Sequence, residues 1–161
     1  MDNNPILSMD TKKKEVLGDL SRCGKILCKE APRVHDHDYK HLSKGKIVPS
    51  GLYDMKRNEG YVSIGTNNET AAFLADNLIW WWETYGIHHY SDASHLLIFC
   101  DCGGENSYRH HAFKKELQRV ARYIGIKIVV VHYPPYCSKW NPIEHRLFSQ
   151  IHRRADGCIF M

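Results

Sequence analysis

Two short, mostly apolar runs constrain this chain more than any other feature. Residues 96–100 read Leu-Leu-Ile-Phe-Cys, and residues 126–131 read Ile-Lys-Ile-Val-Val-Val. Runs this short, rich in branched and aromatic side chains, suit strands buried on both faces. Between them Phe113, Leu117, Val120, Ala121 and Ile124 fall on one face of a helix over 108–124, which Gly125 closes. The first run stops at Asp101, before the break Gly103-Gly104, and the second before Pro134-Pro135. Strand, helix and strand in that order predict a sheet with a helix packed on it.

The residues before this unit read differently. Residues 4–11 form a short strand ending near Asp10, followed by Lys12, Lys13 and Lys14 and then Glu15-Val16-Leu17-Gly18. Residues 19–46 are mostly polar and read as loop, except that the alternation in 33–39 (RVHDHDY) suits a second strand. In GLYDMKRNEGYVSIGT, two alternating stretches flank Lys56-Arg57-Asn58-Glu59-Gly60, which predicts a hairpin. A helix fits 69–85, with Ala71, Leu74, Ala75, Leu78, Trp82 and Tyr85 on one face, Asn68 as N-cap and Gly86 just past its end. Trp80, Trp81 and Trp82 invite a base-stacking role, but core packing is the better reading, and three adjacent positions cannot share one helical face. A last helix starts at Asn141-Pro142, where proline suits the first helical position, and runs to about residue 153. The whole order predicts one α/β domain over 1–161, without internal repeat or linker. Its mixed five-stranded sheet has three antiparallel strands, then strand-helix alternation, and is flanked by helices.

Composition excludes some function classes. A hydrophobic fraction of 43% supports a real core, and 25% charged residues argue against wholesale disorder. The formal charge of +4, with 11 histidines uncounted, permits contact with nucleic acid without demanding it. No run of about 18 apolar residues predicts a membrane span, and MDNNPILSMDTKKKE lacks the apolar centre of a signal peptide. A cytoplasmic location is expected, with the six cysteines as thiols; no cysteine pair has structural-zinc spacing.

Three acids stand where chemistry would use them. Asp10 ends the first strand, Asp101 ends the apolar run, and Glu144 lies in the first turn of the last helix. Sites in sheets with parallel strands gather beyond the strand carboxyl ends. Leu147, Phe148 and Ile151 follow Glu144 at helical spacing, so Glu144 falls on the sheet-facing side. An acid there needs neutralising, and a hard cation such as Mg²⁺ prefers carboxylate oxygens. Each acid alone also has an ordinary reading. Asp101 caps a turn, Glu144 favours a helix start, and Asp10 pairs with the lysines beside it. The residues alone leave an α/β domain with a candidate metal site.

Motifs carry the reading further. SMDTKKKE, GLYD with a following N.G.V..G, LLIFCDCGGEN and HYPP..SKWNPIEHRLFS occur in that order. Together they closely resemble the Rhodopirellula-type transposase DDE domain, a bacterial insertion-sequence family, over about residues 5–152. Residues 138–149 (SKWNPIEHRLFS) are the most specific part, and an Asn-x-x-Glu at the start of the last helix also occurs in mariner-like transposases.

The resemblance implies an RNase H-like fold and metal-dependent DNA cleavage and strand transfer at insertion-sequence ends. The family's acids match Asp10, Asp101 and Glu144, as catalytic residues and metal ligands. Two Mg²⁺ ions, with Mn²⁺ as substitute, would clamp the scissile phosphate about 4 Å apart. One activates water or a DNA 3′-hydroxyl, the other stabilises the departing oxygen, and no covalent intermediate forms. Asn141 and His145 flank Glu144 and are expected to orient phosphate or water. Lys12, Lys13, Lys14, Lys139 and Arg146 are expected on the DNA backbone, a role that needs only positive charge. The implied partners are transposon-end and target DNA and further copies of the chain, with no membrane, no small-molecule substrate and a nucleoid association when DNA is bound.

Three departures from the family pattern bear on activity. Where the family has a small residue and Gly-Gly-Ser-Asn, this chain has Cys102-Gly103-Gly104-Glu105-Asn106, which adds a negative charge near the expected metals. Tyr136-Cys137 replaces the usual Gly-Thr, and Ala155-Asp156-Gly157-Cys158 replaces the Trp-Arg-Gly continuation. Family members also carry an N-terminal helix-turn-helix region that reads element ends and further sequence after the last helix. The expectation is therefore a shortened catalytic core. Its alternatives are an inactive remnant or DNA-binding fragment without catalysis, and a host-adapted nuclease of the same fold.

Overall fold

The computed structural model describes residues 3–21, 23–25, 27–66, 70–101, 111–134, 137–155 and 158. Continuous burial along the first strand, β1 (Ile6–Thr11), and along the second half of β3 (Gly45–Asp54) places these strands at the centre of a sheet. The remaining strands are β2 (Glu15–Leu17), β4 (Glu59–Gly65), β5 (His95–Cys100) and β6 (Lys127–His132). The order is β2-β3-β1-β5-β6, with β4 also on β3. β1 runs antiparallel to β3 and parallel to β5, and β5 runs parallel to β6. The mixed sheet flanked by helices is as expected, with one strand more.

The extra strand continues β1. Thr11 pairs with Ser50 and Glu15 with Ile47, so both β1 and β2 follow β3, with one more residue on their side of the break. Such a bulge bends the chain locally, and the lysine run Lys12-Lys13-Lys14 occupies it. The second strand expected over 33–39 does not form. Leu20 and His35 share a single bridge, and a 3-10 segment follows over His37–Leu42. Alternating His and Asp there offer no apolar set for a sheet face to bury.

Side-chain alternation gives the sheet two different faces. Leu7, Met9, Leu52, Leu96, Ile98 and Cys100 pack against α1 (Ala71–Trp81) and α3 (His111–Ile124), where Leu74, Leu78, Trp81, Phe113, Leu117 and Val120 complete the main core. The opposite face carries Tyr53, over which Ile143 and Phe148 are buried with Leu147 and Ile151 beside them. The last helical segment lies here, as a five-residue π turn (Glu144–Phe148) followed by α4 (Ser149–Ala155).

Helix α1 begins two residues later than the expected start at residue 69, because Thr70 caps it: the hydroxyl accepts from the Phe73 N–H at 3.2 Å. The expected cap Asn68 lies outside the described residues. Gly86 does not end the helix. A π turn (Trp82–Gly86) leads into α2 (Ile87–His89), and Gly86 keeps helical angles, φ −58 and ψ −49. Glycine is required there by packing, since a Cβ would stand 2.6 Å from Cε3 of Trp82. Trp81 and Trp82, three and four residues beyond Leu78, are buried, whereas Trp80 stays 40% exposed.

Strand β6 is half-buried, not buried on both faces, because it lies at the sheet edge with β5 as its neighbour. Gly125 ends α3 in the left-handed region (φ 75), and its N–H donates to the Ala121 carbonyl at 3.0 Å. Asn58, at φ 57, turns the β3–β4 hairpin as its sequence predicts. No helix of the described residues is long and apolar enough to cross a membrane.

Candidate active site

Asp10 comes to the end of β1 on the face opposite the main core, and the side chain is buried. Its two oxygens have separate donors. Oδ1 accepts from the Thr11 N–H at 2.8 Å, and Oδ2 accepts from Nδ2 of Asn141 at 3.0 Å. The Asn141 oxygen in turn accepts from the hydroxyl of Ser8, two residues before Asp10 on the same face. Asn141 and Ser8 are both fully buried. One amide therefore clips the start of the last helical segment to the strand that carries Asp10.

That segment can lie so close only because two sheet positions lack side chains. Gly51, the antiparallel partner of Asp10, would carry a Cβ 2.7 Å from Cε1 of Phe148 and 2.9 Å from Cδ1 of Ile143. A Cβ on Gly60 would stand 2.5 Å from Cδ1 of Leu147. Glu144 opens the π turn, with its N–H on the Asn141 carbonyl at 3.2 Å. Leu147, Phe148 and Ile151 do face the sheet, and Glu144 itself is half-buried.

Asp101 follows the last residue of β5. Met9 and Cys100 form the last parallel rung, so Asp10 and Asp101 are the next residues on two neighbouring strands. Among the described residues, no three His, Cys, Asp or Glu side chains are grouped so that they could hold a metal ion. The acids share one end of the sheet without forming a closed ligand set.

The expected accessory residues divide. Asn141 is buried, and its amide engages Asp10 and Ser8. His145 is exposed, with Nε2 at 2.5 Å from the Lys139 carbonyl. Lys12 is ion-paired with Glu15, 14% exposed, and lines a groove of about 780 Å³ beside Leu17, Ile47, Pro49, Ile151 and Arg154. Lys13, Lys14, Lys139 and Arg146 are exposed.

A second buried acid belongs to a different structure. Asp54 lies on the main-core face, where it accepts from the Tyr90 hydroxyl at 2.7 Å and from the N–H groups of Lys56 and Arg57 at 3.0 and 3.1 Å. It locks the β3–β4 turn to the end of α2. Burial, and then the Asp54 carboxylate, push the Tyr90 phenol above its ordinary range. On the turn's outer side, Arg57 and then Tyr61 hold the Glu59 carboxyl below its ordinary range by hydrogen bonding.

Ser8, Gly51 and the Asp10–Asn141 bond are parts of the site that sequence reasoning missed. An Asn just before Pro142 reads as a helix cap, and nothing local names a partner 131 positions away. Gly51, inside the buried half of β3, is the one signal available, since glycine in a strand often marks close approach by another element.

The family model described as the Rhodopirellula transposase DDE domain matches residues 1–161. No protein of curated function matches the chain. Among solved structures, a pre-cleavage Mos1 transpososome is similar with a TM-score of 0.65 and 13% identity, over 99% of this chain and 45% of that one. The Mos1 mariner paired end complex with Mn is similar with a TM-score of 0.59 and 12% identity, over 98% of this chain and 44% of that one. These likenesses show a shared, RNase H-like fold. The chain spans less than half the length of either Mos1 chain.

Proposed function

The chain belongs to the Rhodopirellula transposase DDE domain family, and on that footing we propose that Asp10, Asp101 and Glu144 are its catalytic, metal-binding acids. The proposed reaction is cleavage of DNA at insertion-sequence ends and transfer of the cut strand. The observation that carries this reading is the Asn141 clip: the bond that fixes Asp10 also fixes the segment that bears Glu144, at the sheet end where Asp101 follows β5.

Hard oxygen donors suit Mg²⁺ or Mn²⁺, and a buried Asp10 among N–H donors fits that chemistry. When bound, such ions would supply Lewis acidity at the scissile phosphate. The chain's own work is positional. Asn141 and the Thr11 N–H hold both oxygens of Asp10 in one orientation. The packing of Ile143 and Phe148 on Gly51 fixes the height of the last segment over the sheet. Lys13, Lys14, Lys139 and Arg146 offer exposed charge to the DNA backbone, whereas Lys12 is already matched by Glu15. A second copy of the chain on DNA is part of the proposal, by analogy with the Mos1 paired end complex.

The test is nicking of supercoiled plasmid with Mg²⁺ or Mn²⁺. Nicking should be lost in Asp10→Asn, Asp101→Asn and Glu144→Gln, each folded by circular dichroism. Nicking that survives Asp101→Asn would remove that residue from the site. A second reading, a DNA-binding fragment without catalysis, is favoured by the lack of a closed ligand set among the described residues. Duplex binding without nicking under either metal would select it.

A further inference from the structure

Trp140 is 67% exposed, more than any other described aromatic side chain. A single exposed apolar residue is ordinary, but the setting of this one is not. Its N–H donates to the Cys137 carbonyl at 2.9 Å within a 3-10 turn over Ser138–Trp140. The preceding carbonyl, of Lys139, meets Nε2 of His145 at 2.5 Å. The following residue is Asn141, fully buried and bound to Asp10 and Ser8. The backbone is thus tied on both sides of a side chain that remains in solvent. Trp81 and Trp82, by contrast, are spent on the core, and Trp80 packs edge-on against Tyr85.

The ammonium of Lys139 stands 5.2 Å from the centre of the Trp140 ring. A ring with a cation over one face, its side chain still mostly in solvent, matches a nucleotide's two recognisable parts, the base and the phosphate. Bases inside a duplex have both faces covered, so only an unpaired base can stack on a side chain.

We infer that Trp140 and Lys139 form a subsite for an unpaired DNA nucleotide at the lip of the candidate active site. The indole stacks on a base freed from the duplex beside the cut, and the ammonium pairs with that nucleotide's phosphate. This inference rests on the proposed reading that DNA enters at Asp10.

The test uses the full chain without divalent metal, so that binding is read without cleavage. Two fluorescein-labelled DNAs are compared by anisotropy, a blunt duplex and the same duplex with a short single-stranded 3′ overhang containing 2-aminopurine. The wild-type chain should bind the overhang roughly ten-fold more tightly than the blunt duplex and quench the 2-aminopurine. Trp140→Ala should lose both the preference and the quenching while keeping its affinity for the blunt duplex, and Trp140→Phe should retain most of both. An overhang preference and quench that persist in Trp140→Ala overturn the subsite. Equal binding of both DNAs by the wild type overturns the subsite alone. Binding of neither overturns it together with the reading on which it rests.

Discussion

Nδ2 of Asn141 donates to Oδ2 of Asp10 at 3.0 Å, and the same amide's oxygen takes the Ser8 hydroxyl, so one side chain joins residues 131 positions apart. All three side chains are buried, where a hydrogen bond is costly to leave unmade. Asn141→Ala should lower stability by about 1–3 kcal/mol, measured by urea denaturation. Asn141→Asp should be worse, because it sets a second carboxylate against Asp10. Wild-type stability in both variants would show that the clip contributes nothing.

Gly51 is the antiparallel partner of Asp10, and a Cβ there would meet Phe148 and Ile143 at 2.7 and 2.9 Å. Both neighbours are buried and wedged against the sheet, so neither can swing away freely. Gly51→Ala should cost about 1–3 kcal/mol in denaturant unfolding, as overpacking generally does. Plasmid nicking, if present in the parent, should fall with it, because the segment bearing Glu144 would be lifted. An alanine variant as stable as the parent would mean that this segment sits more loosely than described.

The tryptophans separate core from surface. Trp81 is fully buried and Trp80 is 40% exposed. Trp81→Ala should cost about 3–5 kcal/mol in chemical denaturation, the range for an emptied aromatic site. Trp80→Ala should cost under about 1 kcal/mol, as most changes at half-exposed positions do. Similar losses at the two positions would contradict the packing of α1.

Tyr90 makes stability sensitive to alkali. Burial and then Asp54 raise its phenol above the ordinary 10.0, so the unfolded chain releases this proton first. The stabilisation is complete below pH 10.0 and is lost as pH rises from there through the folded-state value. Each such proton steepens the fall by about 1.4 kcal/mol per pH unit. Tyr61 is raised too, first by burial and then by Glu59. Thermal melts across this range should show a steep alkaline limb, shallower in Tyr90→Phe. That variant should also melt lower at neutral pH, where Asp54 loses a donor. An unchanged limb would exclude Tyr90 as its source.

Strands β1 and β5, the β3–β4 hairpin and helix α3 were legible because their periodicity is local and strong. Strand β2 was not, since three residues carry too little pattern and owe their pairing to β3. The alternation over 33–39 misled because alternation alone does not supply apolar burial. The edge position of β6 depends on sheet order, which no run of residues encodes by itself. Both π turns were invisible for a related reason: each widens the helix for packing, at Gly86 against Trp82 and at Phe148 against Gly51. Asp10 and Asp101 could be read as strand-end acids from the sequence. That Asn141 faces inward to Asp10 could not, because its partner is set by the assembled sheet.

The position of β1 between β3 and β5 also sets an order of events in a growing chain. The β3–β4 hairpin closes over a turn of four residues, 55–58, and can form early. Strand β1 leaves the ribosome first, yet its antiparallel partner begins pairing at Ser50, its parallel partner at Leu97, and its clip is residue 141. Contacts so distant in sequence form slowly. During synthesis the Asn141 contact is therefore made last, and the arrangement around Asp10 is completed only once the last helical segment has emerged.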